Sequence, residues 1–284
     1  MASTDFTKRM ITIANLAATD GTVADIGCDH GLTGICLIKS GKAEHVIAMD
    51  LRPEPLRRAK ENAKSFGTSE KMEFRLSDGF EKLKEGESST AIITGMGGRL
   101  IVKLLINSGS ILRDGYRLIL SPHTDIRYVR EFLEKVYIDI YDEIYMEDEG
   151  IRYNIICAEA SEKTVSSIEM LSDMNNSDMN NPGIKISNNA KDTADFILDD
   201  KDIACPDEYI LHEAYLRYGF HLIEKKDRLL LSVIEEELAK KKKLLKQIRQ
   251  SATPERIKEL ETDLIIAGKA TELLTGTETE DGIQ

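Results

Sequence analysis

Along the first half of the chain, short apolar runs alternate with segments in which apolar residues recur every three or four positions. Residues 23–25, 45–50, 72–76, 90–94 and 116–120 are runs of the first kind, bounded by glycine, proline or acids. They predict buried strands. The segments around residues 6–18, from 32 onward, 53–66, through 104–105 and 125–135 carry the helical period and predict helices. Strand alternating with helix predicts an α/β sheet covered on both faces. Residues 138–144 and 153–158 read as two more strands, joined across Glu149 and Gly150 into a closing antiparallel hairpin.

The pattern changes after residue 160. Ser-Asp-Met-Asn-Asn at residues 172–176 is repeated at 177–181, and more Ser, Asn and Lys follow. So polar a stretch buries too little apolar surface to offset the entropy of ordering, which predicts a flexible insertion or linker over residues 161–206. From about Asp207 the helical period returns. Leu231, Ile234, Leu238, Leu245 and Ile248 approximate one heptad seam, and Ile257, Leu260, Leu264, Ala267 and Leu274 a second. Thr253-Pro254-Glu255 lies between them as a helix start. Two such helices joined by a short turn predict an antiparallel coiled-coil hairpin. The expected organisation is therefore a sheet domain over residues 1–160, a linker over 161–206 and a helical domain over 207–284.

Composition narrows the classes. The chain has 284 residues and a formal net charge of −12, which argues against a protein that coats nucleic acid indiscriminately. A local basic strip is still present on the first predicted helix of the hairpin, at Lys240, Lys241, Lys242, Lys243, Lys246 and Arg249. No run approaches the ~18 apolar residues of a membrane span and no signal-peptide core opens the chain, so a cytoplasmic protein without a membrane partner is expected. Cys28, Cys36, Cys157 and Cys205 have no C-x-x-C spacing, and no metal site is expected.

The candidate chemistry lies where the predicted strands end. The first runs through Asp25 into Gly27, with Asp29, His30 and Gly31 following; the second ends in Asp50, the third is followed by Asp78-Gly79. In an open parallel sheet a ligand sits at these carboxyl ends. The glycines at Gly27, Gly31 and Gly34 do not form the G-x-G-x-x-G of a pyrophosphate site, and Asp25 and Asp29 would repel a diphosphate. Acids suit a cationic guest such as S-adenosylmethionine, which has an ammonium and a sulfonium and no phosphate. Asp50 stands at the separation from the glycine turn at which an acid takes ribose hydroxyls. At the end of the fourth run, Gly95-Met96-Gly97-Gly98 removes side chains from the cleft floor. His123 follows the fifth, and Arg9 on the first helix is placed to pair with a methionine carboxylate or a phosphate.

D-I-G-C-D-H at residues 25–30, the acid at Asp50, Asp78-Gly79, G-M-G-G at residues 95–98 and S-P-H at residues 121–123 resemble the bacterial tRNA adenine-N1 methyltransferases that act at position 22. The likeness covers the first ~160 residues, and its paired D-I-G-x-D-H and G-M-G-G are more specific than a lone glycine turn. It implies a Rossmann-like class I methyltransferase sheet that binds S-adenosylmethionine, a C-terminal coiled-coil domain that helps grip tRNA, and methylation of adenine N1. The implied cofactor residues are Arg9, Asp25, Gly27, Asp29, His30, Asp50, Leu51, Asp78, Gly79 and Gly95. Those on the acceptor side are Asp29, His30, Gly95, Met96, Gly97 and His123; those toward RNA are Lys240, Lys241, Lys243, Lys246 and Arg249. Ser121 and His123 stand where the resemblance leads one to expect Gln and Asn around Pro122. A small-molecule methyltransferase and a non-catalytic cofactor-binding scaffold stay open, as does the choice between monomer and weak dimer.

Overall fold

The computed structural model describes residues 6–177, 206–249 and 251–276. These fall into two compact units, one with the elements before residue 178 and one with those after residue 205. In the first, α1 (Lys8–Leu16) leads to β1 (Thr22–Ile26), α2 (Leu32–Lys39), β2 (His45–Asp50) and α3 (Pro53–Ser65). Then come β3 (Met72–Leu76), β4 (Thr90–Met96), α4 (Gly98–Ile106), β5 (Arg117–Pro122) and α5 (Ile126–Lys135). β6 (Ile138–Asp148), β7 (Ile151–Ala160) and α6 (Thr164–Ser177) complete it.

The seven strands form one sheet in the order β3-β2-β1-β4-β5-β7-β6. β1 pairs in parallel with β2 and β4, and β7 is antiparallel to both β5 and β6. Because the chain crosses from β3 at one edge to β4 beside β1, the order reverses there and a crevice opens at the carboxyl ends of β1 and β4. The central strands are buried on both faces, which is why they read as continuous apolar runs. Ile13, Ile35, Leu37, Leu56 and Ala59 of α1, α2 and α3 pack on one face; Ile101, Leu105, Val129, Phe132 and Ile168 of α4, α5 and α6 pack on the other. The Rossmann-like methyltransferase sheet expected from the sequence is present, with its closing hairpin longer at both strands.

Residues 164–177, expected to be linker, form α6. Thr164 is buried and donates its hydroxyl to Tyr137 O at 2.9 Å, and Ile168 is 1% exposed in the core, with Leu171 against it. A short apolar stripe anchors the helix ahead of the polar repeat. The rest of the expected linker, residues 178–205, lies outside the described residues, as does most of the second repeat copy.

The second unit holds α7 (Pro206–Tyr218), α8 (Phe220–Glu224), α9 (Arg228–Ile248) and α10 (Pro254–Thr275). Asp227 caps α9 by accepting from Leu230 N at 2.8 Å, and Thr253 caps α10 with Pro254 in its first turn. Both α7 and α9 pack on α10, so this is a helical bundle and not two helices alone. Of the expected seams, Ile234, Leu260, Ala267 and Leu274 are buried, whereas Leu231, Leu238, Leu245 and Ile248 of α9 are half-exposed.

In the sheet unit, Arg130 of α5 and Glu143 of β6 pair at 2.7 Å with 3% and 1% side-chain exposure. Such a pair is costly to break because a lone charge is left in the interior. Glu143→Ala is expected to lower the unfolding free energy by about 3–5 kcal/mol, read by urea denaturation.

Candidate active site

The crevice holds a cavity of about 530 Å³, lined among others by Arg9, Asp25, Gly27, Asp29, His30, Asp50, Leu51, Asp78, Gly79, Gly95 and Met96. That size suits a small organic ligand. The turn after β1 forms its near wall. Gly27 N and Cys28 N both donate to Met49 O at 2.8 Å, and Asp29 N donates to Asp50 Oδ2 at 3.2 Å. Gly27, Asp29 and Gly31 all have positive φ, at 72°, 48° and 70°. Only glycine is at ease there, and aspartate tolerates it better than most residues. A Cβ at Gly27 would collide with Met96 Cε, so the glycine lets the β1 and β4 ends close on one another.

Asp50 is 5% exposed, and its other oxygen accepts from Arg52 N at 2.9 Å. Beside it Leu51 is 62% exposed, an apolar side chain presented at the cavity wall. Asp78 and Gly79 form the wall beyond β3, where a Cβ at Gly79 would press on Leu104 Cδ2 at 2.6 Å. On the far side, β4 bulges at Gly95, where the register with β5 shifts between Thr94 and Met96. His123 N donates to Met96 O at 2.9 Å across the bulge.

Two expected acceptor-side residues sit outside the cavity lining. Gly97 caps the start of α4, and a Cβ there would lie 3.2 Å from Thr124 Oγ1, so its smallness serves the packing of α4 on the loop after β5. His123 stands just beyond the cavity, its ring 6.2 Å from that of Tyr153 and its Nε2 3.8 Å from the Cβ position of Gly95. Thr94, Leu100 and Leu104 of the cavity wall, and Tyr153 outside the lining beside His123, are not singled out by the sequence. Alternating and helical patterns say which residues are apolar, not which wall of a cavity they reach. On α9, Lys241 lies 2.7 Å from both Glu237 and Asp263, so its ammonium is already engaged. Lys240, Lys243, Lys246 and Arg249 are exposed.

The cavity fits S-adenosylmethionine by the chemistry of its wall. Asp25 is 3% exposed with Oδ2 lacking any hydrogen-bond partner, and Arg9 Nε and Nη2 are likewise buried without one. Acid and guanidinium together suit an amino-acid end with both charges. The two fixed oxygens of Asp50 keep lone pairs for ribose hydroxyls, and Leu51 offers a flat base an apolar contact.

Desolvation pushes the Asp25 carboxyl up from 3.8 to about 7, against the lowering effect of the Gly34 N–H and with a further raising contribution from Asp50. Burial likewise pushes the Cys28 thiol up, which makes it a filler and not a nucleophile. His123 is lowered by desolvation and then by Arg9, so its imidazole is neutral at pH 7. Because the folded state holds the Asp25 proton more tightly than the unfolded chain, the associated stability is full below pH 3.8 and is lost as pH rises toward about 7. The stability difference between the ligand-free protein and its Asp25→Asn variant is expected to change by up to ~1.4 kcal/mol per pH unit inside that window and to level off above it, read by urea unfolding across the pH range.

The resemblance noted in the sequence is borne out by relatives. Over 156 residues, 55% of this chain, the sequence is 33% identical to the tRNA (adenine(22)-N(1))-methyltransferase of Bacillus subtilis, a match that spans 66% of that protein. The crystal structure of the B. subtilis M1A22 tRNA methyltransferase TrmK is similar with a TM-score of 0.71 at 25% identity, covering 95% of this chain and 100% of that one. The fold is shared also by Streptococcus pneumoniae Sp1610, a putative tRNA (m1A22) methyltransferase crystallised in complex with S-adenosyl-L-methionine. Its TM-score is 0.68 at 22% identity, over 93% of this chain and 98% of that one. Residues 6–156 match the family model described as a methyltransferase domain, and the chain belongs to that family.

Proposed function

We propose that this protein is an S-adenosylmethionine-dependent tRNA methyltransferase acting on N1 of an adenine, at position 22 as in the B. subtilis relative. The observation that carries the reading is Asp25, a buried carboxylate with an unpartnered oxygen on the wall of a cavity at the sheet's switch point. It supports a cationic guest, and the relatives supply the acceptor.

When bound, the cofactor supplies an electrophilic methyl group on its sulfonium. Asp25 and Arg9 hold the two charges of its amino-acid end, Asp50 the ribose hydroxyls, and Leu51 with Asp78 the adenine. Adenine N1 carries its own lone pair, so no side chain has to withdraw a proton before attack. Alignment supplies much of the acceleration. Where the target is base-paired, N1 is occupied and the base has to leave the stack first. The bulge at Gly95 leaves the floor open for it. An adenine methylated at N1 would carry positive charge, so a carboxylate at the mouth would stabilise the product side. Asp29 serves that role, its side chain 59% exposed at the cavity edge with His30 Nε2 3.4 Å away. Neutral His123 accepts a hydrogen bond from the exocyclic amine. On the helical unit, Lys240, Lys243, Lys246 and Arg249 pair with phosphates of the RNA backbone, and neutralising any one of these cations lowers the salt dependence of binding.

Asp29→Asn keeps the left-handed backbone and removes the charge. Its single-turnover rate on unmodified tRNA is expected to fall by ~10²-fold with cofactor affinity within a few-fold of wild type. Equal rates would remove Asp29 from the chemistry. Replacing Lys243, Lys246 and Arg249 with Gln is expected to weaken tRNA binding and to reduce the slope of log K against log salt by roughly 2–3. Nucleoside analysis of tRNA after incubation with labelled methyl donor tests the reading as a whole: 1-methyladenosine is the expected product, and methylation of small molecules alone would overturn it.

A further inference from the structure

Arg9, proposed above to hold a carboxylate, has a side chain long enough to need fixing from outside its own helix. Arg9 lies in the first turn of α1, a helix of only nine residues. Two residues of the closing hairpin reach it from different sides. Asp148, at the end of β6, accepts the Arg9 main-chain N–H at 2.8 Å. Tyr153, in β7, presents its ring to the guanidinium, with Cζ 4.4 Å from the centroid. The first N–H groups of a helix have no partner within it, so the Asp148 carboxylate satisfies one of them and suits the positive end of the helix. The ring restricts the guanidinium plane, because arginine stacks face-on upon aromatics.

The nitrogens left without partners are Nε and Nη2, which share one edge of the guanidinium. That edge matches a carboxylate through two parallel hydrogen bonds. The rest of the wall selects the guest. Asp25, Asp29, Asp50 and Asp78 line the same cavity, and Arg52, the other guanidinium among its described lining residues, lies 3.7 Å from Asp50. A lone phosphate would meet those acids, whereas a zwitterion satisfies both acids and arginine.

We propose that Asp148 and Tyr153 are positioning residues that together aim the Nε and Nη2 edge of Arg9 at the carboxylate of the methyl donor's amino-acid end. The proposal rests on the cofactor reading above and extends it to the hairpin, which contributes neither residue to the cavity lining. Asp148 sets where the side chain starts, and Tyr153 sets the plane in which it ends.

Calorimetric titration of the full-length protein with S-adenosylmethionine and with its decarboxylated analogue separates this role from a general structural one. Asp148→Ala and Tyr153→Leu are each expected to weaken the carboxylate-bearing ligand by roughly tenfold and the decarboxylated one by less than about twofold. Tyr153→Phe keeps the ring and removes only the phenol oxygen that hydrogen-bonds the guanidinium, and is expected to weaken the carboxylate-bearing ligand by less than Tyr153→Leu does, with the decarboxylated one unchanged. In an Arg9→Ala background, Asp148→Ala is expected to add nothing to the loss. Equal weakening of both ligands, or none with S-adenosylmethionine while KM for tRNA rises, would overturn the proposal. Failure of the wild-type protein to bind either ligand would instead overturn the cofactor reading itself, and this proposal with it.

Discussion

The cavity depends on the carboxylate of Asp50. One of its oxygens takes the N–H of Asp29 and the other that of Arg52, so a single side chain joins the turn after β1 to the start of α3. The carbonyl of Met49, one residue earlier, takes two more N–H groups from the same turn. The end of β2 therefore templates the end of β1, and the backbone tolerates positive φ at Gly27, Asp29 and Gly31 because those bonds over-determine it. Isosteric loss of this charge would leave the two turns without a common acceptor and the acids around them without fixed positions.

Charge distribution follows from that frame. Acids gather at the strand ends because each lies within the last two residues of a strand or in the turn that follows it, where a carboxylate can also accept main-chain N–H groups, as Asp50 does. Asp25 differs: burial raises its carboxyl to about 7, so near neutral pH the protonated and charged forms lie close in free energy and a cation favours the charged one. A site that keeps an unpaired acid dry stores free energy that a positively charged guest releases. In the proposed cofactor role, Arg9 on the same cavity wall adds selectivity, since a simple cation would leave it unanswered.

Much of this was legible in the residues. The central strands of the parallel half stand out because both faces are covered, and Asp25, Asp50 and Asp78 are found at the end of each run or in the turn just beyond it. The bulge at Gly95 is hinted at by its glycines, yet only the register with β5 shows that β4 continues to Met96. Gly97 looks like its neighbours in sequence but serves helix packing. Lys241 is indistinguishable from the lysines beside it, because one of the two acids that engage it, Asp263, lies on a different helix, and an acid four residues back, like Glu237, also precedes Lys240. Tyr153 was hidden for a similar reason: its partner Arg9 is in the first helix and nothing local links them. α6 was missed because the polar composition of residues 161–205 outweighed the few apolar positions that anchor it.

The bond from Asp148 to Arg9 spans 139 residues of chain. Synthesis proceeds from the amino terminus, so the acidic wall of the cavity can be complete while its cationic corner still lacks the hairpin that steadies it. Asp148 and Tyr153 thus reach Arg9 only once the last strand has paired beside β5, after every acid of the wall has been made.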